Sequence, residues 1–212
     1  MDILSNPTFI KAFAALNIVW IAVVAGCAIS MYIFSIPVIS KAQDYSTAIM
    51  LRQFHDLINR GTKYLQGGSR IQAVLLIILV YLTYTHPDPE ISGRWKYFAA
   101  ATFIGAQVAW YEVVFVFPTN DRLVEMEAEL IKAGGDADAD RKARPEVLRL
   151  FDKWRYWHVG RIVIPFAAVA VGMPGLLWCL GYLIGALIHI MKQTPRPKYG
   201  QAEGEDDSRQ LV

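Results

Sequence analysis

Cysteine is nearly absent from this chain, histidine is scarce, and charge of neither sign dominates: two Cys, four His and a net charge of +2. Each scarcity removes a class of function. Cys27 and Cys179 stand singly inside apolar runs, without the spacing of a zinc site or the pairing of a disulfide framework, and are expected to be packed thiols. The 21 Lys and Arg set against 19 Asp and Glu form no basic patch with interleaved aromatics, so nucleic acid is not an expected partner. There is no nucleophile elbow, dinucleotide or P-loop fingerprint, HExxH or CxxC, and so no motif that announces a resident cofactor or metal. The first apolar run is too long for the core of a signal peptide and no small-residue cleavage site closes it, so it is expected to stay in the mature protein.

Charge is also missing from long stretches, and there the sequence becomes informative. Hydrophobic residues make up 54% of the chain, with mean hydropathy +0.30, and they are concentrated. Ile10 to Ile39 holds Lys11 as its single charge, Ile71 to Thr85 holds none, and Tyr97 to Phe117 holds only Glu112. Ile162 to Met191 holds no Asp, Glu, Lys or Arg, and His189 is its one ionisable imidazole. About 20 apolar residues cross a hydrocarbon core, so four spans are predicted, at about residues 10–39, 66–86, 96–117 and 161–191. The fold class is therefore all-α, a membrane four-helix bundle over residues 1–192, with 193–212 a disordered polar tail. The lipid bilayer is the first expected partner.

Four spans put both termini on one side and the connections Lys41 to Arg70 and Pro118 to Arg161 on the other. Those two connections carry 14 of the 21 Lys and Arg, which places them in the cytoplasm by the positive-inside tendency. Met50, Phe54, Leu57, Ile58 and Leu65 recur at helical spacing after Ser46, predicting an amphipathic helix closed by Gly67-Gly68. In the other connection Asn120 or Asp121 is expected to cap a short helix bearing Leu123, Met126 and Leu130, stopped by Gly134-Gly135. Asp136 to Arg144 reads as a mobile tip, and Pro145 as the first turn of a helix running into span four. Ala101, Gly105 and Ala109, and Gly181 with Gly185, are spaced for close helix packing. Pro165 and Pro174-Gly175 are expected to kink or unwind span four.

Polar groups gather where spans three and four meet their shared connection. Trp154, His158 and Arg161 stand at i, i+4 and i+7, one stripe of a helix with Trp157 at its edge. Pro118-Thr119-Asn120-Asp121-Arg122 closes span three. Charged and amide groups at membrane depth are costly and mark pathways, pairs or reaction sites. The plainer reading is an aromatic belt with Arg161 reaching for headgroups, and Asn120 to Arg122 as a helix cap with its first-turn ion pair. Glu112 is expected to face the bundle and pair with an arginine such as Arg161 or Arg122, Gln107 to join helices, and His55 to border the apolar face of its helix. His86 and His189 read as structural or interfacial.

At these residues the chain resembles the anthrone oxygenase family of small four-span membrane proteins. The resemblance is carried by Phe115-Val116-Phe117-Pro118-Thr119-Asn120-Asp121-Arg122, by Trp154-Arg155-Tyr156-Trp157-His158-Val159-Gly160-Arg161 with the glycine-rich last span, and by Ile36-Pro37. It extends over Ala12 to Met191. It implies a monooxygenase that oxidises an anthrone-type aromatic polyketide of secondary metabolism to an anthraquinone with dioxygen, without a cofactor. An internal membrane such as the endoplasmic reticulum is then expected, with a small hydrophobic aromatic substrate and dioxygen as partners.

The chemistry that this implies needs a base, for which His158 or His55 is the candidate, and donors for an enolate or peroxide, for which Arg161, Asn120 and Arg122 are the candidates. Glu112 would position one arginine, and Trp154, Trp157, Tyr111 and Trp110 would supply stacking surface. The alternative is a non-enzymatic four-span scaffold or small hydrophobic carrier whose motifs lock helix ends together. A metal-dependent or haem-dependent oxidoreductase with His55 and His158 as ligands is a third class.

Overall fold

A computed structural model describes the backbone of residues 3–41 and 46–193, and side chains at 4–41, 46–175 and 177. Among these residues there is no strand. Four long helices carry the fold: α1 (Pro7–Lys41), α2 (Thr47–Tyr84), α3 (Pro89–Lys132) and α4 (Ala137–Gln193). Each of the four includes a stretch long and apolar enough to cross a membrane, as a multi-pass membrane protein requires. The chain divides into two compact units, Met1–Cys179 and Leu180–Val212. Of the second, the backbone is helical as far as Gln193. Gly181, Gly185 and His189 have no described side-chain environment, and the predicted polar tail lies outside the described residues from 194 onward.

Local chemistry starts each helix. Asn6 accepts from the Thr8 N–H at 2.9 Å ahead of Pro7, and Asp88 accepts from Glu90 N–H at 2.8 Å ahead of Pro89, each satisfying an orphan donor. Ser46 accepts from Ile49 N–H. The α2 start has a second cap from far along the chain: Asp140 of α4 accepts from Thr47 N–H at 2.9 Å, Thr47 hydroxyl at 2.9 Å and Ala48 N–H at 3.1 Å. Gly134 and Gly135, at φ 67° and 83°, close α3 in the left-handed conformation that glycine adopts without strain.

Several expected boundaries are absent. Gly67-Gly68 does not close a helix, because α2 runs through it; a Cβ on Gly68 would lie 3.0 Å from the Trp20 ring, so this glycine makes room for α1. Asn120 and Asp121 cap nothing, since α3 continues past Pro118 to Lys132. A π turn at Glu112–Val116, in which Phe117 N–H reaches back to Glu112 C=O, stands directly before Pro118 and shifts the ladder where the proline has no N–H to give. The expected mobile tip is helical from Ala137 and is held by Asp140, which leaves Pro145, Pro165 and Pro174 all inside one unbroken helix.

Two buried clusters organise the first unit. In the polar lobe, Phe54, Met50 and Leu51 of α2 pack with Val116, Leu123 and Met126 of α3, Val147, Phe151 and Trp154 of α4, and Ile36 and Ile39 at the end of α1. In the apolar half, Ile10, Ile18 and Ile21 of α1 meet Leu76 and Leu79 of α2, Phe98 of α3 and Val169 of α4. Small residues set the spacing there, though not every one expected. A Cβ on Gly105 would meet the Ala168 Cβ at 3.9 Å and one on Gly172 would strike Ile18 at 2.5 Å, whereas Ala109 is exposed. Gln107, expected to join helices, bonds within its own helix to Phe103 C=O and Trp110.

Candidate functional site

Between the two clusters lies a layer in which the helices depart from α geometry. Three of the four carry a π turn: Met31–Ser35 in α1, Thr62–Gln66 in α2 and Glu112–Val116 in α3. Such turns occur disproportionately at functional sites. Contacts join them to one another. Gly61, just before the second, has the Met31 side chain 3.1 Å from where its Cβ would be, and Gln66 donates to Glu112 Oε2 at 3.4 Å.

Facing this layer, α4 presents Trp154, His158 and Arg161 on one stripe. Trp154 is 1% exposed and its Nε1–H donates to Asn120 Oδ1 at 2.7 Å. Its ring stacks on His158 with centroids 4.2 Å apart and planes 22° from parallel. His158 is fully buried, and Nε2 lies 3.0 Å from the carbonyl of Ala28, immediately ahead of the first π turn. A carbonyl only accepts, so Nε2 carries the hydrogen; in the neutral ring Nδ1 is then a bare lone pair. That Nδ1 is sealed from solvent and has no partner. One turn further on, Arg161 Nε sits 2.6 Å from Glu112 Oε1. Both side chains are largely buried, and the forked end of the guanidinium has no acceptor among the described residues. A lone pair and, one turn away, two NH2 groups with unspent donors can receive a proton and hold an anionic oxygen.

Aromatic rings wall one side. Tyr111 hydroxyl donates to the Trp157 carbonyl at 2.8 Å. The Tyr111 ring presses on Gly160 so closely that a Cβ there would lie 2.2 Å from it. Phe115 stacks on Trp157 with centroids 4.5 Å apart.

The predicted site residues thus divide. Glu112, Asn120, Trp154, His158, Arg161, Tyr111 and Trp157 are brought together across α3 and α4. His55 is not: its Nδ1 lies 2.6 Å from Glu127 Oε2, tying α2 to α3 inside the lobe, while the preceding Phe54 turns to Trp154 at 5.7 Å. One residue along a helix is about 100° around it. Arg122 points outward to Glu125 at 3.1 Å and Glu129 at 3.0 Å, because π turn and helix carry it one turn beyond the layer. Trp110 is 54% exposed, with its indole on Gln107. No three His, Cys, Asp or Glu side chains come together as a metal set among the described residues.

Sequence reasoning missed four participants. Gln66 was readable only as a polar residue beside a glycine pair, and Phe115 as the ring one turn after Tyr111. Thr119, whose hydroxyl is buried without a partner, lay within the quoted motif without a role. The Ala28 carbonyl has no side-chain signal at all. A family model described as anthrone oxygenase matches residues 54–171, more than half of the chain, taking in Pro118 to Arg122 and Trp154 to Arg161 but not Ile36-Pro37. Neither a curated protein nor a solved structure matches the chain.

Proposed function

The chain belongs to the anthrone oxygenase family, and on that premise we propose that it oxidises an anthrone-type aromatic polyketide to the anthraquinone with dioxygen, by forming the enolate in the layer between its two halves. The observation that carries this reading is His158: a buried imidazole whose hydrogen is committed to Ala28 C=O and whose free lone pair lies one turn from an arginine with donors to spare.

The chemistry asks little beyond that. An anthrone methylene lies between two aryl rings and is activated by the carbonyl across the ring. His158 Nδ1 takes one methylene proton, and the negative charge moves to the former carbonyl oxygen, where the guanidinium of Arg161 stabilises it at roughly 3 kcal/mol per donor in a dry site. Glu112 and, through it, Gln66 fix the rotation of that guanidinium. The electron-rich enolate gives one electron to dioxygen, and the radical pair joins as a carbon–peroxide bond at the former methylene carbon. The proton held on His158 returns to the distal peroxide oxygen. Loss of the remaining C–H proton with cleavage of O–O expels water and leaves the second carbonyl. Anthrone plus dioxygen gives anthraquinone plus water, so no further reductant is consumed. A polycyclic phenol and dioxygen both partition into membrane, which favours a site at this depth.

The scaffold reading draws on a different fact: Asn120–Trp154, Glu112–Arg161 and Tyr111–Trp157 each tie α3 to α4. Turnover separates the two. The parent protein should consume one dioxygen per anthraquinone formed. His158→Asn should keep the fold and lower the rate about 10²-fold, the usual loss of a general base, and its residual rate should climb with pH as the anthrone ionises unaided. Equal and pH-independent rates for parent and variant would remove His158 as the base, and an inactive parent would favour the scaffold.

A further inference from the structure

We propose that the groove between the end of α1 and the first half of α2 is the docking and entry site for a hydroxylated polycyclic aromatic, on its way to the layer that holds His158 and Arg161. This rests on the function proposed above and adds the route and the chemistry by which the substrate is first recognised.

The groove is a shallow depression of about 530 Å³, open on its outer side. Its two sides differ in chemistry. Phe34 and Val38 of α1 and Leu57 of α2 give an apolar floor, and the first two are 64% and 69% exposed, unusual surface for a segment entering a polar lobe. Gln53, Asp56 and Arg60 stand at i, i+3 and i+7 on α2 and form a polar stripe beside that floor. A flat ring system with hydroxyls and a ketone on its edge matches both sides. The rings cover Phe34 and Val38, the hydroxyls donate to Asp56 and Gln53, and the ketone accepts from Arg60. One acid and one base give the stripe no net charge, which suits a neutral phenol; a phosphate headgroup would meet the Asp56 carboxylate.

Position supports the same occupant. The groove opens where the apolar run of α1 ends and the amphipathic stretch of α2 begins, a place reached from lipid and from water alike. Phe34 belongs to the π turn Met31–Ser35, and Met31 and Tyr32 of that turn, with Ala28 ahead of it, face α2 and α4. Tyr32 lies under Arg155 of α4 at 4.9 Å, Met31 packs against Gly61, and Ala28 C=O takes the His158 hydrogen. Groove and layer therefore share one wall, with Phe34 and Ala28 about 9 Å apart along the helix axis.

The test uses the full chain in lipid nanodiscs, with a hydroxylated anthraquinone as a stable binding probe and the corresponding anthrone as substrate. Val38→Trp fills the groove at an exposed position outside the buried cores, and Arg60→Met removes the ketone donor. Val38→Trp should raise KM about tenfold with kcat within about twofold, and weaken quinone binding in parallel. Arg60→Met should raise KM about threefold, the worth of one hydrogen bond. Binding and KM unchanged in both variants would overturn the proposal, as would displacement of the quinone by short-chain phosphatidylcholine that binds the parent but not Val38→Trp. The two readings fail separately. A parent that binds quinone at the groove yet oxidises no anthrone keeps the docking site and loses the activity, whereas turnover indifferent to both substitutions keeps the activity and loses the docking site.

Discussion

The polar lobe and the apolar half are built from the same four helices, yet they are held together by different forces. In the lobe, large side chains fill the centre: Phe54 meets Phe151 at 5.3 Å and Trp154 edge-on at 5.7 Å. Most of the ion pairs lie outside, as in Arg149 with Glu146 and Arg122 with Glu125 and Glu129, and the buried Glu127 is matched by His55. Removing those rings from water supplies the driving force. In the apolar half the large residues Leu16, Val19, Ile77 and Phe103 face outward, where lipid is as apolar as they are, and helices gain by close approach and by internal hydrogen bonds instead. Gly172 against Ile18 is one such approach. Gln72 donating to Asn17 Oδ1 at 2.8 Å, and Asn17 to Phe13 C=O at 2.7 Å, is such a bond network. Burial alone thus means different things a few turns apart.

The Glu112–Arg161 pair stands at the seam, and breaking it should have the largest effect. Arg161→Met leaves a buried carboxylate without its counter-charge and should cost about 3–5 kcal/mol, measured by denaturation in mild detergent. Glu112→Gln added to it should restore most of that stability and none of the turnover. A double variant as unstable as the single would mean that the pair serves both halves by more than charge.

Truncation compares the halves directly. Phe151→Ala in the lobe should cost about 3–5 kcal/mol, since it loses both transfer energy and packing. Leu79→Ala, equally buried in the apolar half, should cost clearly less because lipid replaces much of what the side chain loses. Equal losses would place Leu79 in a water-facing core and erase the distinction.

The smallest effect belongs to the long-range cap. Burial opposes the charge on Asp140, but hydrogen bonds from Thr47 and Ala48 and the nearby Arg144 hold its carboxyl below the ordinary carboxylate value. A carboxyl depressed on folding contributes stability that is present above its unfolded pKa and lost as pH falls through the folded one. Asp140→Asn should cost about 1 kcal/mol at neutral pH, as cap losses do, and the parent and variant should converge in acid. A difference that persists there would show that the bond geometry, not the charge, matters.

What the sequence made legible follows the same division. Spans were readable because apolar length is a one-dimensional signal, and the lobe helices because water on one side imposes a 3.6-residue pattern on Met50, Phe54 and Leu57. Boundaries failed where a tertiary contact replaced a local one: Gly68 yields to Trp20, and the 137–144 segment is ordered by a bond to residues 47 and 48. Within the site, the stripe Trp154, His158, Arg161 was legible from helical spacing and Glu112 from its isolation in an apolar run. His55 and Arg122 were grouped with them because sequence shows which side of a membrane a residue occupies, not which way round its helix it points.

The three π turns set that facing. Each is a single extra residue accommodated in a helical ladder, and one residue is about 100° of rotation. Ser30 and Ile36 flank one insertion, Gly61 and Gly67 the second, Tyr111 and Phe117 the third. Deleting one residue from any of them would leave a longer uninterrupted ladder with the same spans and the same composition, while swinging everything beyond it by more than a quarter turn. The part of this molecule that no composition or hydropathy profile can detect is therefore a matter of counting: three residues whose removal would tidy the helices and turn their polar groups away from one another.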